Sequence, residues 1–299
     1  MSRFLVSSHL VFAILDSMND KTRFLSALRP FSLVVAVATC GLGVSLALID
    51  HASDATLAWL VLIAGVLLQI AVNLINDYGD LENFALTASQ RWRIKRNALV
   101  GWIIMLIAVL LGLYMVTIRG WPLFVLGVVG VLGAWGYTGN PVNYKQRGLG
   151  ILFVFLLMGV MLIGGAYYTL TGEYQWEVFC LSLPFSLLSS LLLLSNELRD
   201  YEEDLAAGIR TLTVRLGYQV GVKLYYLLVA LLYFISALLF WGHKLPSLLL
   251  LMMTALALWT PLKLLNAPQT QRRILTPLTG RFYLIFSIAY FATIWMELP

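Results

Sequence analysis

Charge is what this chain has least of. Of its 299 residues only 12% are Asp, Glu, Lys or Arg, while 60% are hydrophobic and the mean hydropathy is +0.85. A soluble domain carries roughly 25% charged residues, so a water-solvated globular protein is excluded and the chain reads as an integral membrane protein. Cysteine is almost as scarce. Cys40 and Cys180 stand alone in apolar runs, with no CxxC pair and no metal-type spacing, so they read as small core residues. The three histidines, His9, His51 and His243, are far apart near expected membrane ends and suggest no metal or catalytic site. No Pro/Ser-rich or low-complexity linker interrupts the chain, which reads as one domain over 25–299 preceded by an N-terminal extension at 1–24. That extension lacks a signal-peptide cleavage pattern, and Met18 offers a second plausible start.

What the chain does have is apolar runs, each near the roughly 20 residues that cross a bilayer. Nine are expected, at about 28–49, 56–76, 97–117, 121–137, 148–170, 176–196, 221–241, 245–266 and 280–297. The connecting segments alternate in charge. With the N-terminus cytoplasmic, and counting Lys223 at the adjoining helix end, eighteen of the twenty Lys and Arg residues face the cytoplasm; Arg119 and Lys244 do not. This is a positive-inside pattern, and it accounts for the formal charge of +5 without a nucleic-acid partner.

The few acids are concentrated. Eight of the fifteen lie in two clusters at the ends of apolar runs, Asn73-Leu-Ile-Asn76-Asp77-Tyr78-Gly79-Asp80-Leu-Glu82 and Asn196-Glu197-Leu-Arg199-Asp200-Tyr201-Glu202-Glu203-Asp204. The second cluster repeats the first about 120 residues later, each with basic residues downstream, so a four-helix unit used twice with a ninth helix added fits the spacing. Such repeats tend to share a site at their interface. On a continuing helix, Asn73, Asn76, Asp77 and Asp80 fall at i, i+3, i+4 and i+7 of one face, and Asn196, Asp200 and Asp204 at i, i+4 and i+8. Stacked carboxylates repel unless a cation lies between them. Mg²⁺ takes oxygen ligands and commonly bridges one or two carboxylates to substrate phosphates, and nearby Arg and Lys suit the remaining phosphate oxygens. Solvated charged loops are the ordinary alternative, but Asn73, Asn76 and Asn196 are polar groups set inside the apolar runs, where they are costly and usually functional.

These pieces resemble the UbiA superfamily of intramembrane prenyltransferases, nearest to the branch that prenylates 1,4-dihydroxy-2-naphthoate in menaquinone synthesis. The resemblance rests on Leu28-Arg29-Pro30, on Asn73 to Asp80, and on Tyr137-Thr-Gly-Asn-Pro141 with Gly148-Leu-Gly150. Its most specific part is Asn196-x-x-Arg199-Asp200-x-x-x-Asp204-x-x-x-Gly208-x-Arg210-Thr-Leu-x-x-Arg215-Leu-Gly217. It implies an all-α membrane protein, nine transmembrane helices in a UbiA-like bundle. It further implies Mg²⁺ on Asp77, Asp80, Asp200 and Asp204, with Asn196 and Arg199 beside them in the catalytic set. A polyprenyl diphosphate and an aromatic acceptor are the implied partners, held with Asn73, Asn76, Arg210, Arg215, Tyr78, Tyr137 and Tyr201. No obligate protein partner is implied, and a bacterial inner membrane is the expected location.

Three positions depart from the family pattern. No third aspartate follows Asp80, Ile209 stands where a lysine is common, and Ile151 stands where an acid usually follows Gly-Leu-Gly. They keep two alternatives open: a degenerate homologue that binds an isoprenoid diphosphate or a partner without turnover, and another acceptor such as 4-hydroxybenzoate. A carboxylate-coupled transporter would favour acids near the bilayer midplane, not at helix ends. A phosphatidyl-type transferase would show a single compact Asp-rich motif.

Overall fold

In bilayer hydrocarbon a backbone N–H or C=O has no water to bond, so an apolar run of this length satisfies itself by forming a helix. The computed structural model describes residues 22–79, 81 and 86–296, and all regular structure among them is helical. The chain runs through α1 (Pro30–Ile49), α2 (Ala55–Gly79), α3 (Ala88–Arg119) and α4 (Trp121–Thr138). It continues through α5 (Gly150–Thr171), α6 (Trp176–Arg199), α7 (Tyr218–Trp241), α8 (Leu249–Leu264) and α9 (Leu275–Trp295). Short helices at Phe24–Ala27, Tyr201–Ala206 and Leu212–Leu216 lie between them. Most of the extension expected at 1–24 lies outside the described residues.

Eight helices among the described residues are long and apolar enough to cross a membrane. The run expected at 245–266 forms the shorter α8, which tightens into a 3-10 turn at Thr254–Leu258 and falls short of the roughly 20 residues of a straight crossing. Eight crossing helices are therefore what length and composition support. The segment 121–137, short and rich in Gly, forms a full helix with Pro122 in its first turn, where a proline's missing N–H costs nothing. Helix α3 begins at Ala88, well before the expected 97, because Thr87 and Gln90 close a reciprocal capping box. Arg91, Arg93, Lys95 and Arg96 therefore stand on a helix extended past the apolar run, not in a loop.

Helix α6 is the axis of the bundle. Of its most apolar window 78% is buried, against 11% for α4, and it packs on α1, α5, α7 and α9. Its polar side chains close on themselves: Ser182, Ser186, Ser189 and Ser195 each donate to a carbonyl of the preceding turn. Pro184 removes one rung from the helix ladder, and in that disturbed turn Tyr290 of α9 donates to the Leu181 carbonyl at 3.0 Å. Phe185 packs edge-on against Tyr283, Tyr290 and Phe291, locking α6 to α9. On the opposite side a π-helical turn, Phe155–Met161, carries Gly159 directly onto α6. A Cβ there would coincide with Ser186. Gly159→Leu should therefore wedge α5 off α6 and cost about 1–3 kcal/mol through overpacking. A lowered thermal midpoint in detergent is the expected result; an unchanged one would mean that this contact does not hold the helices together.

Candidate active site at the ends of α2 and α6

Helix α2 continues through Asp77 to Gly79, so Asn73, Asn76 and Asp77 share one face as their spacing requires. Asp80 lies outside the described residues. Asn73 is buried and fully engaged. It accepts from Gln69 Nε2 at 2.9 Å and donates to the Leu28 carbonyl at 2.8 Å and to Ser32 Oγ at 2.6 Å. Ser32 Oγ in turn donates to the Arg29 carbonyl at 2.8 Å. The chain thus held puts Arg29 in the left-handed region, φ 48° and ψ 71°, which costs a non-glycine residue on the order of 1–2 kcal/mol. What it achieves is placement: the Arg29 guanidinium meets Asp77 Oδ1 at 2.5 Å across 48 positions of sequence.

The second cluster is not the unbroken helical stripe expected from i, i+4, i+8. Helix α6 stops at Arg199, Asp200 adopts φ −93° and ψ 7°, and a new short helix starts at Tyr201. The cause is Arg272. Its buried guanidinium donates to the Leu198 carbonyl at 2.8 Å, pairs with Glu202 and lies 4.4 Å over the Tyr218 ring. That takes the carbonyl which a continuing helix would offer to residue 202. Across the break, Asp204 still bonds the Asp200 carbonyl at 2.8 Å. Arg199 grips Asp200 with both arms, at 2.9 and 2.6 Å.

One cavity of about 1810 Å³ joins the two clusters, well above the 300–1,000 Å³ usual for a small-ligand pocket. Asp77, Asp200, Glu203 and Asp204 line its polar end, with Asn73, Asn76 and Asn196 among them. Arg29, Arg93, Lys145 and Arg199 bring positive charge to the same wall. The rest is apolar and extends between the helices past Leu68, Met158 and Val116 to Leu123 and Thr169. Among the described residues no three Asp, Glu, His or Cys side chains form a ready metal cage. The acids of the polar end are hard oxygen donors drawn from two helices around one space, a set that suits a divalent cation shared with a phosphate.

Tyr137 belongs to the cavity wall; Tyr78, Tyr201, Arg210 and Arg215 do not. Tyr78 is 48% exposed, and Tyr201 packs edge-on against Tyr218. Arg215 donates to the carbonyls of Gln146 and Arg210, which ties the 139–149 loop to the segment after the second cluster. In that loop Tyr144 is buried against Phe153 and donates to the Gly133 carbonyl at 2.7 Å. Burial pushes its phenol well above the ordinary range, so it stays a neutral donor. Among the charged wall residues that escaped the sequence reading of the site are Arg29, Arg93, Lys145, Glu197 and Glu203. Arg29 carried a signal in Leu28-Arg29-Pro30, yet its distance from Asp77 along the chain hid the pairing. Glu197 looked like one more acid in a charged run.

A helical membrane bundle whose acidic helix ends face a long apolar cavity defines the class: an intramembrane protein with a polar site at one end of an apolar chamber. The chain belongs to the UbiA prenyltransferase family, whose pattern matches residues 34–287. It is 29% identical over 206 residues to a 1,4-dihydroxy-2-naphthoate octaprenyltransferase of Bacillus subtilis (strain 168), covering 66% of each chain. It is 32% identical over 208 residues to the enzyme of that name from Mycobacterium leprae (strain TN), covering 65% of this chain and 69% of the relative. The aligned stretch thus spans about two thirds of these relatives. In fold it is similar to a UbiA homolog from Archaeoglobus fulgidus solved bound to GPP and Mg²⁺, with a TM-score of 0.64 at 17% identity over 91% of this chain and 99% of that one.

The Asn73 clamp can be tested directly. Asn73→Ala strands the Leu28 carbonyl and the Gln69 amide, and should cost about 1–3 kcal/mol. Hydrogen exchange over residues 22–32 should quicken with it; unchanged exchange there would show that Asn73 does not hold Arg29.

Proposed function

We propose that the protein transfers a polyprenyl group from its diphosphate to an aromatic acceptor, 1,4-dihydroxy-2-naphthoate, in the synthesis of menaquinone. The observation that carries this reading is the single cavity in which Asp77, Asp200 and Asp204 stand at the mouth of a long apolar chamber. The diphosphate sits at the acidic end, the isoprenoid tail lies along the apolar wall, and C1 of the prenyl chain falls at the boundary between them. The names of the relatives support the choice of acceptor.

In this reading Asp77, Asp80, Asp200 and Asp204 hold Mg²⁺, with Asn76 and Asn196 orienting those carboxylates or bound water. Bound there, Mg²⁺ neutralises diphosphate charge and so eases the departure of the leaving group. The chain's own part is preorganisation. Arg29 and Arg199 already face the acids, so positive charge waits where the leaving group's negative charge develops. Lys145 and Arg93, which also line the cavity, add to that field. The apolar chamber excludes water from the allylic cation, which an electron-rich ring carbon then captures at C1, and loss of the ring's carboxylate as carbon dioxide restores the aromatic ring. Tyr137 offers its π face beside that point. By the positive-inside pattern this end of the bundle faces the cytoplasm of a bacterial inner membrane.

Purified protein given Mg²⁺, labelled polyprenyl diphosphate and a panel of hydroxyaromatic acids should form a prenylated product, most rapidly with dihydroxynaphthoate. Asp77→Ala and Asp200→Ala should each lower turnover by about a hundredfold or more. Tight binding of the diphosphate with no product from any acceptor would overturn the assignment in favour of a binding protein without turnover.

A further inference from the structure

Glu197 is the one acid of the second cluster that is buried. It is 6% exposed, at the end of α6, in the wall of the cavity. One carboxylate oxygen, Oε2, accepts the Thr213 backbone N–H at 3.1 Å. The other, Oε1, accepts no hydrogen bond among the described residues and is open to the cavity that Glu197 lines. A carboxylate oxygen at a cavity wall keeps its capacity to accept a hydrogen bond for whatever occupies the cavity. Folding alone does not require it, because the Thr213 peg uses only Oε2.

The surroundings say what Oε1 is for. Gly150 faces it: a Cβ on that glycine would meet Leu193 at 3.4 Å, the Tyr137 ring at 3.5 Å and Oε1 at 3.7 Å, so the missing side chain keeps a methyl-sized stretch of wall clear between the carboxylate and an aromatic face. Lys145, on the same wall, and Asp204 both act on Glu197 electrostatically. Glu197 is thus grouped with an aromatic ring, a cation and a gap, beside the carboxylates assigned to the diphosphate. A flat ring bearing a hydroxyl and a carboxylate satisfies all three at once: ring on Tyr137, carboxylate towards Lys145, hydroxyl donating to Oε1.

We propose that Glu197, Tyr137 and Lys145 form the acceptor subsite, with Glu197 Oε1 taking the hydrogen bond of a ring hydroxyl and so selecting hydroxyaromatic acids. This rests on the prenyl-transfer reading and adds to it the group that recognises the acceptor. In Glu197→Gln the single amide oxygen is claimed by the Thr213 N–H, and an NH₂ donor turns to the cavity where an acceptor is needed.

The test uses the full chain in nanodiscs with Mg²⁺. Binding of dihydroxynaphthoate is measured beside an unreactive prenyl thiolodiphosphate, together with the kinetics of transfer. Glu197→Gln should weaken dihydroxynaphthoate roughly tenfold or more, with the loss in KM. Affinity for the thiolodiphosphate should stay within about twofold, and the thermal midpoint should hold. The dimethyl ether of the acceptor, with no hydroxyl to donate, should bind wild type and variant alike. Should Glu197→Gln fold poorly, Glu197→Asp keeps the charge beside Lys145 but withdraws it by one methylene, and should show the same selective loss. An unchanged acceptor affinity, or equal losses for both ligands with a lower midpoint, would reduce Glu197 to a peg for Thr213 and overturn the proposal alone. A wild-type protein that prenylates no hydroxyaromatic at all would overturn both readings.

Discussion

Everything at the acidic end depends on neutralising carboxylates at the edge of a bilayer. An ionised group gains little from water there and is costly without a partner. The chain meets this with two arginines, Arg29 on Asp77 and Arg199 on Asp200. One is local, the neighbouring residue; the other arrives from the start of α1. Much of the architecture around the site serves to deliver that second guanidinium. Asn73 anchors the turn that carries it, Ser32 fixes its carbonyl, and the backbone accepts a left-handed residue so that it can reach.

The rigid and open parts of the bundle divide along the same lines. Helix α6 is packed on nearly every side and capped by Arg272, so Asn196, Glu197 and Asp200 start from a fixed platform. Helix α4 is barely buried, and the space left between it and the bundle forms part of the apolar chamber. A diphosphate needs preorganised charge, and a flexible hydrocarbon tail needs only room. The fold supplies precision at one end and volume along the other.

The two acidic clusters, alike in sequence, are built differently. The first stays on one helix at least to Gly79, as its spacing requires. The second breaks at Asp200 because Arg272, 74 positions from Leu198 along the chain, captures the Leu198 carbonyl. Helical spacing still grouped Asn73, Asn76 and Asp77 correctly, since those residues lie within one uninterrupted turn and the next. It had no means of foreseeing a hydrogen bond from the far side of α7. Nor did it separate Arg210 and Arg215, which do not line the cavity, from Arg29 and Lys145, which do.

The sequence by itself determined the class: an all-helical membrane protein, its family, and the two helix ends that carry the acids. Hydrophobic length and local motifs are properties of contiguous residues, and they survive without knowledge of the fold. The tertiary structure alone decided which arginine faces which aspartate, where α6 ends, and that Glu197 is buried in the cavity wall. Those outcomes depend on which distant backbone groups compete for a donor, and that competition exists only once the helices are packed.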